Sequence, residues 1–339
     1  MEAGRSALRK YWYIACASLR LGGAPLAVRV LDLALVVFRD GGGAARALLD
    51  RCCHRGVPLS RGRCINGALA CGYHGWRYDG GGACVHIPSL TAARRIPAGC
   101  NVPAFPCVER DGYVWVWTGD GSPEPGEPPL IEEFSRWRWT QGSVPMRCAW
   151  LKGVENNLDW CHPPFAHAWT HPEFFRVWWK GQKTVSYETR TTSSGILVFT
   201  PPVADERSPV PDDALVVLQF DLPNRATVRA GSKGYQYRVV LHFVPTGESE
   251  CRMEWLFTRT LRFGPRVSWT NREPRIFRQD RSLLEAAQPW YEGRADAGFE
   301  RSVEADWSTL LVRRVVDLAA RGLWPSAEVP GRRVVEVRS

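Results

Sequence analysis

Between Arg51 and Trp76 the chain reads RCCHRG and then ACGYHGW. Cys52 and His54 stand one residue apart, Cys71 and His74 two apart, and sixteen residues separate the pairs. Two Cys and two His so arranged ask for a metal centre: a structural zinc, or a [2Fe–2S] cluster in which two His replace two Cys on one iron. The spacing separates the two. Zinc-finger pairs usually run Cys-Cys then His-His, so each loop brings two like ligands, whereas here each loop brings one thiolate and one imidazole. That mixture suits a cluster in which two facing loops each give a Cys to one iron and a His to the other.

Cys52-x-His54-Arg55-Gly56 and Cys71-x-x-His74-Gly75-Trp76 resemble the two cluster loops of the Rieske non-haem iron oxygenases. The resemblance implies a Rieske [2Fe–2S] cluster on Cys52, His54, Cys71 and His74. Position 53 departs from the family, which usually carries proline there; Cys53 lies directly beside His54, so Cys52 is the expected ligand and Cys53 a free thiol.

Length allows two domains. Sixteen Trp among 339 residues are core and interface material, of which a few can line an apolar pocket. The eleven Cys are scattered, and the N-terminal stretch lacks an apolar segment of signal-peptide length, so the expectation is a reducing cytoplasm. No run of about eighteen apolar residues predicts a membrane span. The net charge of +9 comes from Arg spread along the chain, which argues against nucleic acid and suits an acidic protein partner such as a ferredoxin.

Apolar runs at 26–38, a short strand at 64–70, a glycine hairpin at 78–85 and a strand at 112–117 read as a small all-β domain, residues 1–120, carrying the cluster at loop tips. Residues 121–129, rich in Gly and Pro, read as a linker. Beyond it, 130–339 contains strand-like runs at 136–150, 183–192, 195–200, 214–221, 234–245 and 251–263, then helical periodicity over 278–290 and 303–320. The fold class expected is α+β. The family resemblance implies that this second domain is an antiparallel sheet with helices of the helix-grip, START-like kind.

Within 154–167, Asn156, Asp159 and His162 recur at three-residue steps, which places them on one helix face; Pro163 and Pro164 are expected to end that helix, with His167 on the turn beyond. Two His and a carboxylate on one side of an octahedron form the facial triad of non-haem Fe(II) oxygenases. Asn-x-x-Asp-x-x-His-x-x-x-x-His is similar to the mononuclear iron motif of the same family. The resemblance implies His162 and His167 as iron ligands and Asp159 as a bridge that orients His162 and reaches His74 of a neighbouring subunit, hence a ring of subunits, a homotrimer. Asn156 either contacts this site or caps a turn. The resemblance also implies an acidic third ligand on the late helix, expected at Asp306, with Asp296, Glu300 and Glu304 as alternatives. His86, His171 and His242 match no motif and read as structural or pocket-edge residues, and Trp178 and Trp179 as pocket wall or core.

The chain has no G-x-G-x-x-G dinucleotide motif, so a separate reductase or ferredoxin, supplied by NADH or NADPH, is expected. Its length is similar to the shorter α-only members, which implies monooxygenation with O2, by hydroxylation or oxidative demethylation. The many aromatic side chains point to an apolar, aromatic or polycyclic small molecule, with the pocket between about 178 and 290. A cis-dihydroxylating dioxygenase α-subunit, an electron-carrying Rieske ferredoxin and a zinc-stabilised binding protein are the rival readings.

Overall fold

A computed structural model describes residues 7–124, 126–131, 134, 138–170, 183–205, 208–210, 216–232, 235–260, 267–269, 273–292, 299–326 and 329–338. The chain divides into two compact units, Arg9–Ser135 and one built on Arg136–Ser339. The stretch expected as a linker packs onto the first unit: Arg110 Nη1 donates to Glu127 and to the Pro128 carbonyl, and Asp111 accepts the Ile131 N–H.

In the first unit, β1 (Trp12–Ala17), β2 (Leu26–Val30), β3 (Leu33–Arg39), β4 (Ala45–Leu49), β5 (Arg63–Ile65), β6 (Ala68–Ala70), β7 (Arg77–Tyr78), β8 (Cys84–His86), β9 (Ala104–Phe105), β10 (Cys107–Arg110) and β11 (Tyr113–Trp117) form three sheets. Their orders are β1-β11-β10, β2-β3-β4-β9 and β5-β6-β7-β8, with antiparallel neighbours. β1 and β11 are buried on both faces, which is why they read as unbroken apolar runs rather than alternating ones. The cluster-motif loops connect β4 to β5 and β6 to β7. Beneath them sits a core of Val36, Phe38, Leu48, Leu59, Leu69 and Tyr78.

In the second unit, β12 (Arg138–Met146), β13 (Thr184–Thr191), β14 (Gly195–Thr200), β15 (Val216–Asp221), β16 (Arg225–Ser232), β17 (Tyr235–Pro245), β18 (Cys251–Arg259), β19 (Val267–Trp269) and β20 (Arg332–Arg338) make one nine-stranded sheet, ordered β19-β12-β18-β17-β16-β15-β14-β13-β20. All its pairs are antiparallel except β12 with β19. Helices α1 (Trp150–Leu158), α2 (Pro163–Ala166), α3 (Arg275–Ala287) and α4 (Trp307–Ala320) accompany it. The predicted α+β class with an antiparallel sheet is therefore what the second unit adopts.

α1 lies against the sheet because Gly153 has no side chain; a Cβ there would meet the Phe243 ring. Its neighbours Val154 and Leu158 join the main core. Both ends of α1 are tied. At the start, Gln288 accepts the Ala149 N–H at 2.9 Å; at the end, Ser308 of α4 donates to the Leu158 carbonyl at 2.8 Å, satisfying one of the terminal carbonyls a helix leaves open. Midway, buried Glu155 takes both prongs of Arg313 at 2.7 and 2.8 Å. Each link crosses more than a hundred residues of sequence. Together they hold the segment that follows α1.

Candidate metal centres

The two cluster loops have the same backbone wiring. In the first, Cys52 N–H donates to Val57 O and Gly56 N–H to Cys52 O; in the second, Cys71 N–H donates to Trp76 O and Gly75 N–H to Cys71 O. Gly56 and Gly75 both take φ +71°, a left-handed turn that glycine adopts without penalty. This conformation brings the four motif residues together. The thiols of Cys52 and Cys71 are buried and in hydrogen-bond contact, and burial, with Cys52 alongside, pushes the Cys71 thiol up. The His54 and His74 rings lie 4.6 Å apart, and His54 stacks on Trp76. His54 Nδ1 is buried yet meets no hydrogen-bond partner among the described residues. Paired buried thiols beside an unsatisfied imidazole nitrogen fit the ligand set of a [2Fe–2S] cluster.

In the second unit the helix carrying Asn156 stops at Leu158. Asp159 is already extended, and its carboxylate accepts the Cys161 N–H at 2.7 Å. Pro163 does not end a helix; it starts α2, with His162 at the N-cap and His167 at the C-cap. Proline suits the first helical position because its missing N–H would find no intrahelical partner there. One short turn thus carries both imidazoles, whose ring centroids lie 5.3 Å apart.

The third group is Asp280, one turn beyond Phe277 on α3. Asp280 Oδ1 lies 3.0 Å from His167 Nε2 and 3.6 Å from His162 Nε2, and one ligand atom from each of the three residues falls within 4.8 Å of the others. This corrects the expectation of Asp306. The Asp306 carboxylate instead accepts the Val303 N–H at 2.7 Å, closing the 3-10 turn Glu304–Asp306 that leads into α4. Among the alternatives, Glu300 pairs with Arg313 and Glu304 with Arg333, while Asp296 lies outside the described residues. The sequence did carry one signal for Asp280. It falls on the same helix face as Phe277 and Leu284, both packed on the core, and a carboxylate on an apolar stripe needs a partner.

Gln279 was not foreseen either. Its Oε1 lies 3.2 Å from His167 Nδ1 and accepts the Thr170 hydroxyl at 2.6 Å. With Nδ1–H given to Gln279, the Nε2 lone pair of His167 faces a carboxylate oxygen, two electron-rich atoms that need a cation or proton between them. Among the described residues, Asp280 Oδ1 and His162 Nδ1 are likewise buried without a well-aligned hydrogen bond. A divalent metal fits this donor set.

Asp159 Oδ2 stands 3.4 Å from His162 Nδ1, within ion-pair reach but without good hydrogen-bond alignment. Burial alone would raise its carboxyl; His162 and the Cys161 N–H outweigh that and hold it below the usual carboxylate range. Asn156 is half-buried on α1, and its carbonyl accepts the Asp159 N–H at 3.4 Å; its side chain is not part of the three-residue group. Of the unmatched His, His86 is exposed on β8, and His242 is buried on β17, where burial and Arg225 hold it well below its usual value. His171, Trp178 and Trp179 lie outside the described residues.

Residues 11–106 match the family of the Rieske [2Fe-2S] domain. The first unit is therefore a Rieske domain. Over 165 residues the chain is 40% identical to the dicamba O-demethylase oxygenase component of Stenotrophomonas maltophilia, covering 47% of this chain and 48% of that one. Over 324 residues it is 27% identical to the vanillate O-demethylase oxygenase subunit of Pseudomonas sp. (strain HR199 / DSM 7063), covering 82% and 85%. Its fold matches the structure of dicamba monooxygenase bound to 3,6-dichlorosalicylic acid, with a TM-score of 0.75 at 25% identity over 94% of this chain and 99% of that one. At higher identity, the alignment to the dicamba relative spans about half of that protein's length.

Proposed function

We propose that the chain is the terminal oxygenase component of a Rieske-type system that monooxygenates an apolar small molecule, by hydroxylation or oxidative O-demethylation. The observation that carries this reading is the convergence of His162, His167 and Asp280 in a chain that also holds a Rieske domain. In this reading Cys52, Cys71, His54 and His74 hold a [2Fe–2S] cluster, and His162, His167 and Asp280 hold a mononuclear Fe(II) in place of the expected Asp306 set. The bound cluster supplies single electrons and the bound iron supplies O2 activation beside the substrate.

The chain's own residues do the positioning. Gln279 holds His167 by Nδ1, so that Nε2 is presented to the metal, and Asp159 orients His162 from the opposite side of its ring. Trp255 packs edge-on against Phe277 of α3 at 5.9 Å, and on the same face of the sheet Val216, Val228, Val239 and Phe257 are half-buried around the core. These apolar side chains support an aromatic or polycyclic substrate and keep water from the reacting carbon.

Electrons come from a separate reductase or ferredoxin fed by NAD(P)H. Asp159 completes the route from His74 of a neighbouring subunit in a homotrimer. The cytoplasm is the compartment proposed, because none of the eleven Cys is joined in a disulfide; among the described residues no helix is long and apolar enough to cross a membrane. The test is reconstitution: purified protein, a surrogate ferredoxin and reductase, NADH and a panel of methoxylated and unsubstituted aromatics, with one oxygen atom from 18O2 appearing in the product or, for demethylation, in released formaldehyde. Both oxygen atoms of O2 in a cis-diol would overturn the monooxygenase reading, and zinc without sulfide would overturn the oxygenase reading altogether.

A further inference from the structure

The residue that departs from the family's cluster loop has a specific contact. Cys53 is an exposed residue whose Sγ lies 3.3 Å from the Tyr78 hydroxyl, which itself lies 3.1 Å from Cys52 Sγ. Tyr78 is fully buried in the core under the loops. Its single hydroxyl proton therefore has two sulfurs within reach. A cysteine that ligates iron is a thiolate and has no proton to give, so the Tyr78 O–H points at Cys52. The phenolic oxygen is left as an acceptor, and the S–H of Cys53 is the donor aimed at it.

We propose that Cys53 is a positioning residue for the cluster, acting through Tyr78: the relay Cys53 S–H to Tyr78 O–H to Cys52 Sγ strengthens the last hydrogen bond and raises the reduction potential of the Rieske centre. Hydrogen bonds in a chain polarise one another, and hydrogen bonds to a cluster's sulfurs stabilise its more negative, reduced form. A proline at this position carries no side-chain donor, so the relay belongs to this chain. The inference rests on Cys52 being a cluster ligand, which sulfide content and the visible spectrum test separately.

The experiment is a redox titration of the purified holoprotein, followed by the reduced-cluster EPR signal, for wild type, Cys53→Ala, Cys53→Ser, Tyr78→Phe and Cys53→Ala with Tyr78→Phe, all compared at equal sulfide content. Expected are a lower midpoint potential in Cys53→Ala, retention of most of the wild-type value in Cys53→Ser, whose hydroxyl still donates, and a larger drop in Tyr78→Phe. The double variant should match Tyr78→Phe alone, because without the phenol Cys53 has nothing to act through. Should Cys53→Ala fail to hold sulfide, Cys53→Pro supplies the donor-free protein and must show the same drop. An unchanged potential in the donor-free variant, or a double variant whose shift is the sum of the two single shifts, would overturn the proposal; a role in loop packing alone predicts that sum.

Discussion

The two centres differ in how far along the chain their parts are gathered. Each cluster loop closes on itself: Cys52 bonds Val57 and Cys71 bonds Trp76, five residues on, with a left-handed glycine in each loop. The proposed mononuclear centre draws its histidines from one turn around α2 but its carboxylate from α3. The hydrogen bond that orients His167 spans 112 residues, and α1, which leads into the site, is held by Arg313 from 158 residues away. A local loop keeps its geometry so long as its own backbone is intact. A centre assembled over long range depends on the packing of the whole unit, so it should fail first when that packing is disturbed.

The largest expected effect is at the long-range ligand. Asp280→Ala should drop the protein from about three iron and two sulfide per chain to about two iron, with the cluster spectrum intact and turnover lost, whereas Asp306→Ala should keep about three iron. The reverse result from iron and acid-labile sulfide analysis would restore Asp306 as the ligand.

Next comes the clamp on α1. Glu155→Gln leaves Arg313 with Glu300 as its remaining carboxylate and should cost about 1–2 kcal/mol, less than for a fully buried pair because Arg313 keeps that partner and its side chain is 31% exposed. Thermal denaturation should fall accordingly, and iron should be lost from the mononuclear centre at temperatures where the cluster colour persists; simultaneous loss would mean that the two centres share one cooperative unit.

Gln279→Leu removes the acceptor for His167 Nδ1–H and should weaken iron binding about 10-fold or more, with Gln279→Glu restoring it. Iron affinity measured by competition with a chelator checks this; equal affinity in all three proteins would leave Gln279 a packing residue only.

The smallest effect is a control at a residue that belongs to neither ligand set. Buried Glu188 bonds Arg190 at 2.6 Å and Arg332 at 2.9 Å. Burial would raise its carboxyl, but Arg332, Arg190 and the Val203 N–H together hold it below the ordinary range. A depressed folded-state pKa contributes stability that is fully present above the unfolded value, about 4.3, and is lost as pH falls through the folded value. Tm of the wild type should therefore decline more steeply below about pH 4.5 than that of Glu188→Gln, with the iron-to-sulfide ratio of the variant unchanged at pH 7.

Much of the fold could be read in advance. Strand β14 falls on the expected 195–200, and α3 and α4 fall within a few residues of the two expected helices. β16 and β20 were missed because they are Arg-rich and carry no sustained apolar run: Arg225–Ser232 is an interior strand, and Arg332–Arg338 alternates, with only Val335 and Val337 buried. Their place in the sheet is decided by the strands beside them. The same contrast holds at the sites.

Side-chain types at short spacings, Cys52 with His54, Cys71 with His74 and His162 with His167, are held by local backbone geometry, so the sequence alone pointed to the two Cys–His loops and to the imidazole pair around α2 that the structure brings together. Which of several acidic residues stands opposite those imidazoles depends on how α3 and α4 pack against α1 and the sheet. That packing is decided by contacts such as Phe277 on Trp255 and Ser308 on the end of α1, between groups far apart in the chain. Spacing carries no record of such contacts, so the choice of Asp280 over Asp306 belonged to the tertiary structure.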